Sequence, residues 1–281
     1  MTDADCVAFL RWALPRLGLR WPGFRKVRRQ VCKRVARRMA ALGLAQVAAY
    51  RAYLEREPSE WAVLDGLCRS TISRFWRDRG VFEHLGARVL PELARRAGAA
   101  GRETLGAWSA GCASGEEPYS LKILWELGPG PHFPGLRLKV TASDADANLL
   151  RRARAGRYGG GSLEELPAAW REAAFAPEGE LYRLRPRFRA DIAFARQDIR
   201  RRMPKGPFDL ILCRNLAFTY FDEAGQRRLA RRLARRLRPG GVLVLGKHET
   251  VPEGCDEIVP SEPKLAVYRR GDEGEGRGRL T

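Results

Sequence analysis

No uninterrupted apolar stretch in these 281 residues approaches the roughly 20 that a bilayer-spanning helix requires, so no membrane insertion is expected. The N-terminus also lacks a basic region followed by an apolar core and a small-residue cleavage site, which argues against secretion. Six cysteines (6, 32, 68, 112, 213 and 255) are scattered without CxxC spacing or paired histidines. That pattern speaks against a zinc site and for reduced thiols in a cytoplasm. Histidine is scarce, with three residues at 84, 132 and 248. His248 alone falls at a strand end and reads as structural or peripheral. No metal centre is expected, and no GxGxxG fingerprint of a dinucleotide fold is present.

What the chain has instead is positive charge. Lys and Arg number 52 against 33 Asp and Glu, a formal net charge of +19. The first 80 residues hold 17 basic and 7 acidic side chains. Such a field attracts acidic partners: nucleic acid, an anionic membrane or an acidic protein surface. An arginine-rich, alanine-rich composition accounts for part of the total, but not for its N-terminal concentration.

From Asp5 to about Leu85 the pattern is helical. Val27, Val31, Val35, Met39 and Leu42 recur at near-helical spacing, with Arg25, Lys26, Arg28, Arg29, Lys33, Arg34, Arg37 and Arg38 on the other faces. Gly43 ends this amphipathic, basic helix. Leu44–Glu57, stopped by Pro58, and Trp61–Leu67 read as two more. Beyond Phe82 short apolar strands (Leu105–Ser109, Leu138–Ala142, Phe208–Leu212, Val242–Gly246) alternate with helices (Leu121–Leu127, Asn148–Ala155, Ala224–Leu237). That rhythm predicts a parallel sheet with helices on both faces. Between Tyr158 and Asp198 it lapses, and Tyr182–Leu184 with Asp191–Ala195 suggests a small antiparallel insertion. The expected organisation is a basic helical domain over 1–85, an α/β domain over 86–270 with a β insertion at about 175–197, and a disordered tail over 271–281.

In an open parallel sheet, ligands bind at the carboxyl ends of the strands. After the first strand comes Trp108-Ser-Ala-Gly-Cys-Ala-Ser-Gly-Glu-Glu-Pro-Tyr-Ser120, a glycine turn beside a helix start, which lets backbone N–H groups approach a ligand. After the second, Asp144 stands where a ribose hydroxyl would be bound, 29 residues beyond Gly115, and Asp146 suits a helix cap. Cys213-Arg214-Asn215 follows the central strand. Arg238-Pro-Gly-Gly241 reads as a turn into the last one. These features fit a crevice for S-adenosylmethionine better than one for a nicotinamide cofactor.

In detail, the chain resembles the chemotaxis receptor methyltransferase (CheR) family. The matching stretches are Phe75-Trp-Arg-Asp78, the Gly-Glu-Glu-Pro-Tyr-Ser run within Trp108–Ser120, Ser143-Asp-Ala-Asp146, Phe208–Asn215, Tyr220-Phe-Asp222 and Arg238–Gly246. The resemblance implies a Rossmann-like class I methyltransferase sheet, preceded by an all-helical domain and carrying a small antiparallel β insertion, which in some members docks a receptor tail. It implies S-adenosylmethionine as cofactor and protein glutamate side chains as substrate. It also places Thr71, Ser73 and Arg77 on the cofactor from the helical domain, Gly111 in its loop, and Glu116 at its amino-acid end. Asp144 would meet the ribose and Asp198 with Ile199 the adenine. Arg214 and Asn215 would lie beneath the sulfonium, with Tyr220 near the transferred methyl. Arg29, Lys33 and Arg37 would face an acidic receptor surface. The chain departs from the family pattern at Ser70-Thr71-Ile-Ser-Arg-Phe-Trp-Arg77 and by one extra residue between Asn215 and Tyr220.

Methyl transfer to a carboxylate is an in-line displacement, and a glutamate is already ionised at neutral pH, so no general base is needed. Catalysis then rests on positioning. Arg77 would orient the incoming carboxylate bidentately and Tyr220 would hydrogen-bond it. Two rival readings remain at this point: a methyltransferase of the same fold acting on RNA or a small metabolite, and a non-catalytic S-adenosylmethionine-binding or interaction protein.

Overall fold

The computed structural model describes residues 1–69 and 73–271. Their contacts form two compact units, one of Met1–Ser70 with Leu216–Gln226, the other of Thr71–Asn215 with Arg227–Thr281. The expected boundary near residue 85 therefore moves upstream. The reason is burial: Phe75, Trp76, Val81, Phe82 and Leu85 are all at most 3% exposed in the core around the sheet. The expected tail over 271–281 lies, from residue 272 on, outside the described residues. Among the described residues no helix is long and apolar enough to cross a membrane.

The first unit is built from α1 (Asp3–Arg16), α2 (Trp21–Phe24), α3 (Arg28–Ala41), α4 (Val47–Arg56) and α5 (Glu60–Leu67). A capping box starts α1: the Thr2 hydroxyl accepts from the Asp5 N–H at 3.1 Å while the Asp5 carboxylate accepts from the Thr2 N–H at 3.0 Å. α1 buries Phe9, Leu10, Ala13 and Leu14, and α3 buries Val31, Val35 and Met39. Cys6 on α1 and Cys32 on α3 are joined as a disulfide. This corrects the expectation of reduced thiols for these two residues, while Cys68, Cys112, Cys213 and Cys255 are free thiols. The two cysteines are 26 residues apart in sequence, and the pairing of their helices brings their Cα atoms to 5.9 Å. At the centre of the unit, Glu60 (3% exposed) accepts from Arg38 Nε at 2.9 Å and Nη2 at 2.6 Å, and from the Tyr50 hydroxyl at 2.8 Å. A bidentate guanidinium is what a carboxylate needs to be tolerated there.

The second unit begins with α6 (Arg79–His84), which runs through one π-helical turn (Leu85–Val89) into α7 (Leu90–Ala99). It continues as β1 (Thr104–Ala110), α8 (Glu116–Leu127), β2 (Arg137–Asp144), α9 (Ala147–Ala155), β3 (Arg157–Gly159), α10 (Ala168–Ala174), β4 (Phe175–Glu178), β5 (Leu181–Leu184), β6 (Ile192–Arg196) and β7 (Phe208–Cys213). Leu216–Gln226, with α11 (Ala217–Tyr220) and the start of α12 (Glu223–Ala234), belongs to the first unit. There Arg20 N–H donates to the Tyr220 carbonyl at 2.8 Å, Leu19 bridges Phe221, and Phe24 packs on Tyr220 at 5.1 Å between ring centroids. The second unit closes with β8 (Leu237–Leu245), β9 (Ile258–Glu262) and β10 (Val267–Arg270).

Seven strands form one sheet in the order β6-β2-β1-β7-β8-β10-β9, parallel except where β10 pairs with its two neighbours. β7 is buried along its whole length, as a central strand covered on both faces must be. Chain order reverses between β1 and β7, which makes their carboxyl ends the switch point where such sheets bind ligands. Two expectations are corrected here. The antiparallel insertion is β3-β5-β4, and the segment at 191–195 is instead β6, the parallel edge of the main sheet. Arg238-Pro-Gly-Gly241 is not a turn before the last strand but the bulged start of β8, where the register with β7 shifts between Phe208 and Leu210.

Candidate active site

The loop after β1 is fixed by its own backbone. Gly111 and Cys112 N–H donate to the Ser143 carbonyl at 2.8 and 3.0 Å, and Gly115 N–H donates to the Cys112 carbonyl at 2.9 Å. Ala113, itself left-handed at φ +47°, donates its N–H to Asp144 Oδ2 at 3.0 Å. These four donors, which the sequence suggested would face a ligand, are used internally. Gly115 must be glycine: its φ is +95°, and a Cβ there would lie 3.0 Å from Ala153 and Tyr119 and 3.1 Å from the Tyr158 hydroxyl. Asp144 braces the loop and also accepts from Asp146 N–H at 2.8 Å. Asp146 caps α9 as expected, accepting from Asn148 N–H at 2.7 Å.

The two glutamates at the start of α8 face different surroundings. Glu116 is 4% exposed, and its Oε1 accepts from the Ser114 hydroxyl at 2.9 Å. Its Oε2 is buried without a hydrogen-bond partner. Burial pushes its carboxyl above the ordinary value, against the helix N-terminus, Ser114 and Ser73, which favour the ion. Glu117 is also pushed up by burial, and Arg214, the Ser109 hydroxyl (2.7 Å) and the charge of Arg77 oppose this.

Arg214, at the end of β7, is enclosed. Its Nη2 donates at 2.7 Å to both the Arg77 carbonyl and Asp78 Oδ2, its Nη1 donates to Glu117 Oε2 at 3.3 Å, and its guanidinium lies 5.3 Å from the centre of the Phe82 ring. Arg77 sits between two left-handed residues, Trp76 and Asp78, each at φ +60°. Non-glycine residues hold that conformation only where surroundings impose it. Here the Ser120 hydroxyl accepts from Trp76 N–H at 3.0 Å, and the Trp76 ring stacks on Phe82 at 4.9 Å and meets Trp170 edge-on at 5.0 Å. Residues 77–78 are thereby fastened to the ends of β7 and α8.

Of the remaining expected positions, Asp198 follows β6, with Arg200 Nη2 donating to its Oδ2 at 2.6 Å, and Ile199 beside it is 7% exposed. Asn215 is left-handed at φ +53°. Arg29, Lys33 and Arg37 are exposed on α3, four residues apart on one face, and Tyr220 ends α11; all four belong to the first unit. Thr71 lies outside the described residues. The structure thus joins the loop of Gly111 to Asp144, through Ala113, and Arg77 to Arg214. Sequence reading missed Asp78, Glu117 and Glu249. The second glutamate of Gly-Glu-Glu was visible as a buried charge on an apolar helix; the other two act through folding contacts alone.

The profile of the family described as CheR methyltransferase, SAM binding domain, matches residues 71–263. The chain belongs to this family. The chemotaxis protein methyltransferase of Listeria monocytogenes is 36% identical over 186 residues, 66% of this chain and 67% of that one. The probable chemotaxis protein methyltransferase of Rhizobium etli is 36% identical over 214 residues, covering 74% and 78%. That of Salmonella typhimurium is 33% identical over 230 residues, covering 79% and 76%. Among solved structures, the N-methyltransferase NodS from Bradyrhizobium japonicum aligns with 70% of this chain and all of its own at 16% identity and a TM-score of 0.36.

This CheR-family chain is therefore an S-adenosylmethionine-dependent methyltransferase with a Rossmann-like sheet. The residues present suit that cofactor: Glu116 Oε2 is a buried carboxylate oxygen without a hydrogen-bond partner, the type of acceptor that would match a methionine ammonium.

Proposed function

We propose that this methyltransferase O-methylates glutamate side chains of an acidic protein of the chemoreceptor type, and that it works in the cytoplasm. The observation that carries the reading is the fastened Arg77: a cation whose backbone is pinned on both sides, at the carboxyl end of the sheet, beside the loop that suits the cofactor. The relatives named above are chemotaxis protein methyltransferases, which supports the same substrate class.

In this reading Glu116 takes the cofactor's ammonium and Asp144 its ribose. Asp198 and Ile199 border the adenine. Thr71, Ser73, Gly111 and Asn215 complete the crevice. When bound, S-adenosylmethionine supplies a methyl carbon made electrophilic by its sulfonium. The rest falls to the protein's own side chains. Arg77 holds the incoming carboxylate by paired N–H donors. An ionised carboxylate is already a nucleophile, so orientation is the main contribution. Arg214, bonded to Asp78, Glu117 and the Arg77 carbonyl, holds Arg77 in place and with Asn215 lies beneath the sulfonium. The exposed row Arg29, Lys33 and Arg37 draws in the acidic substrate.

The test is transfer of labelled methyl from S-adenosylmethionine into proteins of a cell lysate. Label released by mild alkali as methanol is the expected result. Incorporation removed by nuclease, or no incorporation by a chain that binds the cofactor, refutes the substrate class.

A further inference from the structure

The strands β7 and β8 stay in register as far as Cys213 and Leu245, after which the two chains part. Just beyond that point two backbone N–H groups, those of Asn215 and Gly246, are left without a strand partner. Both donate to one atom, Oε2 of Glu249, each at 2.7 Å. Glu249 is 3% exposed. The turn that carries it is closed on itself, since Glu249 N–H donates back to the Gly246 carbonyl at 2.8 Å. A single carboxylate thus replaces the missing rungs of the ladder, and a charged acceptor makes those bonds stronger than neutral ones.

Packing makes the arrangement tighter still. A Cβ on Gly246 would fall 2.8 Å from Glu249 Oε2, 2.9 Å from Asn215 N and 3.0 Å from Asn215 Cγ. The side-chain space of residue 246 is therefore filled by the carboxylate and by Asn215 itself. Asn215 is held left-handed, with its side chain pressed against the end of β8.

We infer that Glu249 is a positioning residue of the cofactor crevice: by taking both N–H groups it fixes where Asn215 presents its side chain. The inference rests on the reading that Asn215 borders the cofactor. A loss of one ångström in such placement is enough to weaken a site.

S-adenosylhomocysteine titrated calorimetrically into the full chain tests this, alongside steady-state kinetics and thermal unfolding. Glu249→Ala is expected to raise its Kd at least tenfold. The KM for S-adenosylmethionine rises in parallel, while kcat at saturating cofactor falls less than threefold. A merely structural residue gives the reverse pattern, a smaller active fraction and lower kcat at unchanged KM. Glu249→Gln, which keeps one carbonyl oxygen for both donors, restores binding to within about threefold. Gly246→Ala, whose Cβ crowds both the carboxylate and Asn215 while keeping the charge, reproduces the KM effect and covers the case in which Glu249→Ala does not fold. Wild-type affinity in Glu249→Ala, or unchanged KM with reduced kcat in both variants, overturns the inference. Asp144→Ala separates the two readings. Unchanged affinity there refutes the crevice itself and this inference with it; lost affinity there, with wild-type affinity in Glu249→Ala, refutes the positioning role alone.

Discussion

Replacing Glu116 by glutamine removes one negative charge from a place where the apo protein gains little from it. Oε1 keeps its hydrogen bond from Ser114, while Oε2 is buried and has no partner. If that oxygen receives the cofactor's ammonium, the variant loses one charge-assisted hydrogen bond, about 1.5–3 kcal/mol. At 1.4 kcal/mol per decade this is a roughly 10- to 150-fold rise in Kd. The same substitution relieves the apo protein of a buried charge, so its thermal midpoint should rise. The pH dependence follows with the same sign. Because burial raises the Glu116 carboxyl above its ordinary value of 4.5, the folded state binds this proton more readily than the unfolded chain. As pH falls through the raised value toward 4.5, this group makes the apo fold more stable. Cofactor affinity falls over the same interval, and in Glu116→Gln that part of the pH dependence disappears. Calorimetric titration with S-adenosylhomocysteine from neutral pH downward, with scanning calorimetry of the apo forms, reads both effects. A Kd within twofold of wild type at neutral pH, or a lower apo midpoint, refutes the reasoning.

Arg214→Met should destabilise the second unit by about 3–5 kcal/mol in urea unfolding, because it leaves Glu117 and Asp78 without their cation in a buried setting; a loss below 1 kcal/mol contradicts the ion-pair account. Gly115→Ala forces an alanine to φ +95° against Ala153, Tyr119 and Tyr158, and should cost at least about 1–3 kcal/mol in the same assay together with most of the cofactor affinity. Reversing Arg29, Lys33 and Arg37 to glutamate should lower kcat/KM for the protein substrate at least tenfold, with the deficit shrinking as salt is added, and leave S-adenosylhomocysteine affinity intact. Undiminished kcat/KM at physiological salt removes the steering role.

Sequence disclosed what local pattern controls. The buried runs at 105–109 and 208–212 are strands because both faces of a central strand are covered, and Asp146 caps α9 through groups two and three residues away. It failed where a distant partner decides. Ile192–Arg196 is short and half-buried, and nothing in it tells a hairpin arm from a parallel edge; its pairing to β2 does. Arg238-Pro-Gly-Gly241 has the composition of a turn, yet β7 recruits it as a bulge. At the site, the glycine loop and Asp144 stood out by residue type and position, whereas Arg77 was singled out by the family resemblance alone. Arg214 was noticed but its partners were not, since they lie 136 and 97 positions away. The disulfide was hidden likewise, because Cys6 and Cys32 carry no spacing signature and meet only through helix packing.

The return of Leu216–Gln226 to the first unit bears on how the chain can be made and cut. Arg20, Leu19 and Gly18 find their partners at Tyr220, Phe221 and Asp222. A ribosome must therefore deliver some 200 further residues before the earliest-made helices acquire their last neighbour. An excised fragment ending at Ser70 would lack that strap altogether, so limited proteolysis and domain truncation would sever what looks, on paper, like an independent N-terminal module.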